Sequence, residues 1–145
     1  MKIHFGQIYI ESGVSFPFSF QFQRHLSDEI SALVAPSAKF TQDYGDDWQL
    51  MFRVSAKRGI CDNEIRGPSV FKKDKDVEFT IFLPFDVIHG ESGVLQSAIG
   101  FLLQGVSSVL DSLGIDVSEI QAQRGRLSES ISSDPRMFEP NVRPI

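Results

Sequence analysis

The stretch SGVLQSAIGFLLQGVSSVL, residues 92–110, runs nineteen positions without a charged side chain. A helix this apolar belongs either in a bilayer or inside a folded domain. Gln96, Ser97, Gln104, Ser107 and Ser108 make it too polar for lipid, which leaves the domain interior. Leu95, Ala98, Ile99, Leu102, Val106, Val109, Leu110 and Leu113 recur at spacings of three and four, and Phe101 and Leu103 widen the apolar surface. The pattern predicts a helix over 94–113 that other elements cover on more than one side.

Gly114 follows as a C-terminal cap, and Asp116 and Glu119 are spaced like a capping box that opens a second helix. Val117, Ile120, Arg124, Leu127 and Ile131 continue that helix until Asp134-Pro135 ends it. The two helices are expected to form a hairpin.

The first half reads as strands. Trp48, Leu50, Phe52, Val54 and Ala56 point one way while Gln49, Met51, Arg53, Ser55 and Lys57 point the other, the period-two signature of a half-buried strand. Phe16, Phe18, Phe20 and Phe22 alternate with Pro17, Ser19 and Gln21 and predict another strand, which begins at Pro17 or lies at a sheet edge. Ile3 and Phe5 are out of phase with Ile8 and Ile10, so a bulge is expected near Gly6. Ser27, followed by Asp28 and Glu29, suggests the N-cap of a short helix that Pro36 terminates. Further strands are expected around 65–71 and over 77–85, joined by the charged turn KKDKD.

At 145 residues and 41% hydrophobic content, the chain is large enough for one ordinary core, and no repeat or linker divides it. The expected architecture is a single α+β domain over residues 1–134. It has a mainly antiparallel sheet from the N-terminal half, because the strand connections look short, packed against the C-terminal helical hairpin and one short helix. Residues 135–145, with Pro135, Pro140 and Pro144, read as an irregular tail.

Tyr44-Gly45-Asp46-Asp47 spells the metal-binding hairpin of template-copying polymerases. Two-metal chemistry also requires a further carboxylate from a separate strand, and no recognisable partner motif supplies one. The simpler reading is a hairpin turn in which Gly45 takes positive φ. His4, His25 and His89 are isolated from one another and from Cys61, so no metal-ligand spacing is present. Cys61 lies among acidic neighbours and not in the electropositive setting of a nucleophilic thiolate, and HGESGV lacks the lysine of a phosphate-binding loop. No catalytic residue, metal or cofactor is therefore expected. The turn remains unusual: Asp43, Asp46 and Asp47 surround Tyr44 and adjoin the only tryptophan, Trp48. Clustered acid beside rigid aromatics suits an interface with a basic protein.

A net charge of −5 and a pI near 5.1 argue against nucleic acid as the direct ligand, since phosphates need clustered Lys and Arg. The N-terminus MKIHFGQIYIESG lacks the apolar core of a secretory signal, and the single cysteine fits a reducing compartment, so a cytoplasmic location is expected.

Together, IFLPFDVIHG, the long uncharged helix and LGIDVSEIQAQRGRLSESISSDPRMF, within about residues 76–138, resemble the C-terminal half of small bacterial immunity proteins of polymorphic toxin and contact-dependent growth inhibition systems. The resemblance implies a cytoplasmic, non-enzymatic inhibitor that binds and blocks a cognate toxin domain. Toxins of this kind are in many cases basic nucleases. The alternatives are a small hydrolase with a spatially assembled His/carboxylate site and a homo-oligomeric adaptor.

Overall fold

The computed structural model describes residues 1–9, 19–45, 47–67, 76–85 and 94–137. In chain order they form β1 (Lys2–Tyr9), α1 (Phe20–Leu33), β2 (Ala35–Pro36), α2 (Ala38–Tyr44), β3 (Gln49–Lys57), β4 (Glu64–Arg66), β5 (Asp76–Pro84), α3 (Val94–Ser112), β6 (Ile115–Asp116), α4 (Ser118–Ala122) and α5 (Arg124–Ser133). A 3₁₀ turn, Pro135–Met137, follows. The fold is α+β, built on a four-stranded mixed sheet in the order β1-β3-β5-β4.

The alternation read around Trp48 becomes β3, at the centre of this sheet. Leu50, Phe52, Val54 and Ala56 are buried, and the residues between them are half-buried on the other face. Val77, Phe79, Ile81 and Leu83 do the same on β5, and Ile3 and Phe5 on β1. The register of β1 shifts between Phe5 and Ile8, the irregularity expected beside Gly6.

The dominance of antiparallel pairing is not found. β1 pairs with β3 in parallel and β3 with β5 in parallel, and in the four-stranded sheet only the β4 pairing with β5 runs antiparallel. For the β1–β3 pair the cause is the phenylalanine segment. Phe20 and Phe22, expected on a strand, lie in α1; Phe16 and Phe18 fall outside the described residues. Ser19, not Ser27, is the N-cap, its hydroxyl accepting from the Phe22 amide at 3.3 Å. Buried Phe22, Leu26 and Ile30 then follow at intervals of four, a helical stripe. With α1 and α2 between them, β1 and β3 have the long crossover that parallel strands require.

Ser27 has a different task inside α1. Its hydroxyl accepts from the Phe5 amide at 2.9 Å and donates to the Gln23 carbonyl at 2.7 Å. One turn later, the Ser31 hydroxyl accepts from the Ile3 amide at 3.0 Å and bonds the Ile3 carbonyl at 3.1 Å. The outer edge of β1 is thereby closed by two helix side chains, which occupy groups that another strand would seek.

α3 is buried as its composition demands. Ala98, Ile99, Leu102, Leu103, Val106, Val109 and Leu110 are enclosed, while Ser97, Gln104, Ser108 and Asp111 mark a narrow exposed stripe. Gly105 permits close approach to β5, since a Cβ there would stand 3.2 Å from Ile81 Cγ2. Among the described residues no helix is long and apolar enough to cross a membrane. Gly114 takes φ 79° after α3, as a glycine cap does. The second helical segment is not continuous. It breaks at Gln123 into α4 and α5, with Ile120, Leu127 and Ile131 buried. Asp116 accepts from the Ser118 amide at 2.9 Å, but Glu119 accepts from Gln123 and does not complete a capping box. The Arg124 guanidinium donates to the Gly100 carbonyl at 2.9 Å and couples α5 to α3.

The first residues assigned to the tail are ordered. Met137 is buried, and Ser19 donates its amide to the Met137 carbonyl and its hydroxyl to the Arg136 carbonyl. Residues 138–145 lie outside the described residues.

Phe22 and Phe20 provide a sharp check on this arrangement, being 1% and 76% exposed. Phe22→Ala is expected to destabilise the protein by about 3–5 kcal/mol. Phe20→Ala should stay within about 0.5 kcal/mol, both measured by urea denaturation.

The C-terminal turn provides a second check. The Arg136 guanidinium grips the Asp134 carboxylate, at 2.8 Å for its shortest contact, and lowers its pKa to about 2 from an ordinary 3.8. A carboxyl whose pKa is lower in the folded state contributes stability above its unfolded value and loses it as pH falls through the folded one. The difference in thermal midpoint between wild type and Asp134→Asn should be present at pH 6 and close as the pH drops from about 4 to about 2.

Candidate partner-binding surface

The acidic turn begins with α2, a helix of seven residues. Ser37 caps it by accepting from the Phe40 amide at 3.0 Å, which turns the buried Phe40 inward. The helix stops at Gly45, whose amide bonds the Thr41 carbonyl at 2.8 Å. Gly45 has φ 89° and ψ −175°, a conformation open to glycine and strained for other residues. Positive φ at Gly45 is as expected from the sequence. The hairpin is not, because the turn joins a helix to the start of β3, which pairs in parallel with both of its neighbours.

Trp48 is only 2% exposed and belongs to the core. It is therefore removed from the contact surface proposed on sequence grounds and supports that surface from below. Its indole Nε1 donates to the Tyr44 carbonyl at 3.0 Å. The Tyr44 ring meets Trp48 edge-on at 6.1 Å between centroids and Phe40 at 5.0 Å. Tyr44 itself remains 43% exposed, one of two exposed large hydrophobics among the described residues. Asp43 and Asp47 are exposed on either side of it, while Asp46 lies outside the described residues. Of the five residues singled out by sequence, the structure brings Asp43, Tyr44 and Asp47 to the surface together and buries Trp48.

Sequence reasoning missed a second feature. The sheet face opposite the helices carries a groove of about 530 Å³, lined by His4, Gly6, Gln49, Met51, Arg53, Asp76, Val77 and Glu78. Register assembles it: Gln49 pairs with Asp76 and Met51 with Glu78 across β3 and β5, and His4 lies beside Met51 on β1. His4 Nε2 and Gln49 Oε1 are hydrogen-bonded at 2.8 Å, and Arg53 Nε contacts Glu78 Oε1 at 2.8 Å. The alternation that turns Gln49, Met51 and Arg53 outward was readable, but their neighbours on other strands were not.

His25 sits on α1 with its Nε2 buried and unpartnered among the described residues, and His89 lies outside them. Cys61 is an exposed free thiol. Among the described residues no three or more His, Cys, Asp or Glu side chains converge as a metal site. Comparison with protein-family models, with curated proteins and with solved structures finds no match to this chain.

If the turn is held as described, Gly45→Ala should destabilise the protein by about 1–3 kcal/mol, since it forces a side chain into a backbone region that disfavours one. Gly125→Ala, in a helix with open space around the glycine, should instead be stabilising by about 0.4–1 kcal/mol. Denaturation midpoints of the two variants decide the matter.

Proposed function

We propose that this chain is an immunity protein, a non-catalytic inhibitor that binds a cognate bacterial toxin domain in the cytoplasm and occludes its active or substrate-binding site. The observation that carries this reading is Tyr44, a half-exposed aromatic packed on the buried Trp48 and Phe40 and flanked by exposed Asp43 and Asp47. An aromatic fixed before binding loses little rotamer freedom on association, which is the property of an energetic centre in an interface. The surrounding carboxylates repel acidic surfaces and attract basic ones.

The resemblance of residues 76–138 to immunity proteins points to the same class. A net charge of −5 suits a basic partner such as a nuclease, whose cationic substrate site holds phosphates. In this reading the turn takes the place of phosphate against that site, without contacting nucleic acid.

Co-purification with the product of the adjacent gene, followed by an assay of that product's activity with and without this protein, tests the proposal. Tyr44→Ala is expected to weaken the complex by about 2 kcal/mol or more, roughly 30-fold. The double variant Asp43→Asn, Asp47→Asn should slow association about three- to tenfold at low salt, with the difference largely gone in 0.5 M salt. Binding kinetics unchanged in both variants would remove the turn from the interface. A neighbouring product that neither binds nor loses activity would remove the inhibitor reading.

A further inference from the structure

The groove on the open sheet face has a chemistry separate from that of the turn. Its floor is apolar: Met51 extends across it because Gly6 has no side chain, and a Cβ at Gly6 would stand 2.6 Å from the Met51 sulfur. Val77 borders the groove only along its strand, because its side chain is buried in the core on the other face of the sheet. Of the charged groups around it, Arg53 and Glu78 are held together at 2.8 Å, with side chains 37% and 50% exposed. Asp76 is exposed, and its carboxylate has no hydrogen-bond or ion-pair partner among the described residues. Among the described residues the uncompensated charge at the groove is thus negative and sits at one rim.

Parallel strand pairs are usually covered on both faces. Here the helices pack on one face of β3 and β5, whereas Gln49, Met51 and Arg53 on the other retain solvent contact. An anionic occupant would meet Asp76 and would have to draw Arg53 away from Glu78. A cation on a flexible aliphatic stem meets neither obstacle: its stem lies on Met51 and its head reaches Asp76. Among the described residues Lys2 stands in the same row, but it lies beyond Gln49 from Asp76, two strand spacings or roughly 10 Å away.

We infer that this groove receives a lysine or arginine side chain of the protein partner, with Met51 as its floor and Asp76 as its counter-charge. The inference rests on the reading of the chain as a binder of a basic protein and extends the contact surface from the turn onto the sheet. Asp47 lies two residues before Gln49, the strand partner of Asp76, so the turn and the groove rim meet at the same end of the sheet. One partner surface can touch both.

The test uses the full chain, labelled with nitrogen-15, titrated with acetylated and amidated Gly-Lys-Gly and Gly-Arg-Gly peptides and with Gly-Glu-Gly as control. Either cationic peptide should shift the amide resonances of Gly6, Met51, Asp76 and Glu78, and the acidic peptide should not. Asp76→Asn should weaken this binding about two- to fivefold, as for an exposed ion pair, and Asp76→Lys should abolish it. Both variants should retain the wild-type thermal midpoint. Against the co-purified partner, Asp76→Lys should lower affinity at least tenfold. Equal shifts with the acidic peptide, shifts confined to other surfaces, or wild-type affinity in Asp76→Lys would overturn the inference. Failure in the groove while Tyr44→Ala still weakens the partner would remove the groove alone. Groove binding that persists when no protein partner is found would remove the inhibitor reading and with it the partner named here.

Discussion

Three phenylalanines set the register on which the rest of the molecule depends. Phe5, Phe52 and Phe79 face one another across β1, β3 and β5, with ring centroids 5.7 and 5.5 Å apart and near-parallel planes. All three are buried. A slip of one residue on any strand would turn its ring to the open face and bring a polar neighbour into the core. Gly67 reinforces the rung at its end, because a Cβ there would collide with the Phe79 ring. With the rung in place, Gln49 must stand beside Asp76 and Met51 beside Glu78. The groove therefore follows from how the core is packed on the opposite face.

The helices contribute in two unlike ways. α3 supplies apolar surface, and Gly105 brings it close to Ile81 on β5. α1 supplies apolar surface through Phe22, Leu26 and Ile30 and hydrogen bonds through Ser27 and Ser31. Those serines bond the outer edge of β1 at Ile3 and Phe5, so these backbone groups are not open to an added strand. Short two-stranded pairing of β2 with β6 joins the end of α1 to the end of α3. Ser19 ties the start of α1 to the C-terminal turn.

Buried groups hold one part of the candidate surface, and a missing side chain makes room for the other. Tyr44 is fixed by Trp48, Phe40 and the Gly45 cap, and Met51 occupies the space left at Gly6. Interfaces gain affinity when their contact residues are ordered before association, because less conformational freedom is then lost on binding. Such an arrangement suits a surface whose task is recognition.

The sequence by itself determined where hydrophobicity had to go. The periods over 48–57, 77–85 and 94–113 yielded β3, β5 and α3, and Gly45 and Gly114 showed where the chain must take positive φ. These features rest on local chemistry: side-chain alternation, helical spacing and the backbone freedom of glycine. The alternating phenylalanines misled because Phe20 and Phe22 fit a strand as neighbours in sequence, whereas Ser19, Phe22, Leu26 and Ile30 fit a helix over a longer span, and only packing against β1 selects between them. That choice made the β1-to-β3 link a crossover and so made the pairing of these two strands parallel. Trp48 was ambiguous for a related reason, since an aromatic at a strand start serves a core or a surface equally well until the helix before it is placed. Asp43, Tyr44 and Asp47 were legible because they are neighbours in the chain. The groove was not, because His4, Met51 and Asp76 lie far apart in sequence and are brought together by register, which long-range packing fixes and local pattern does not.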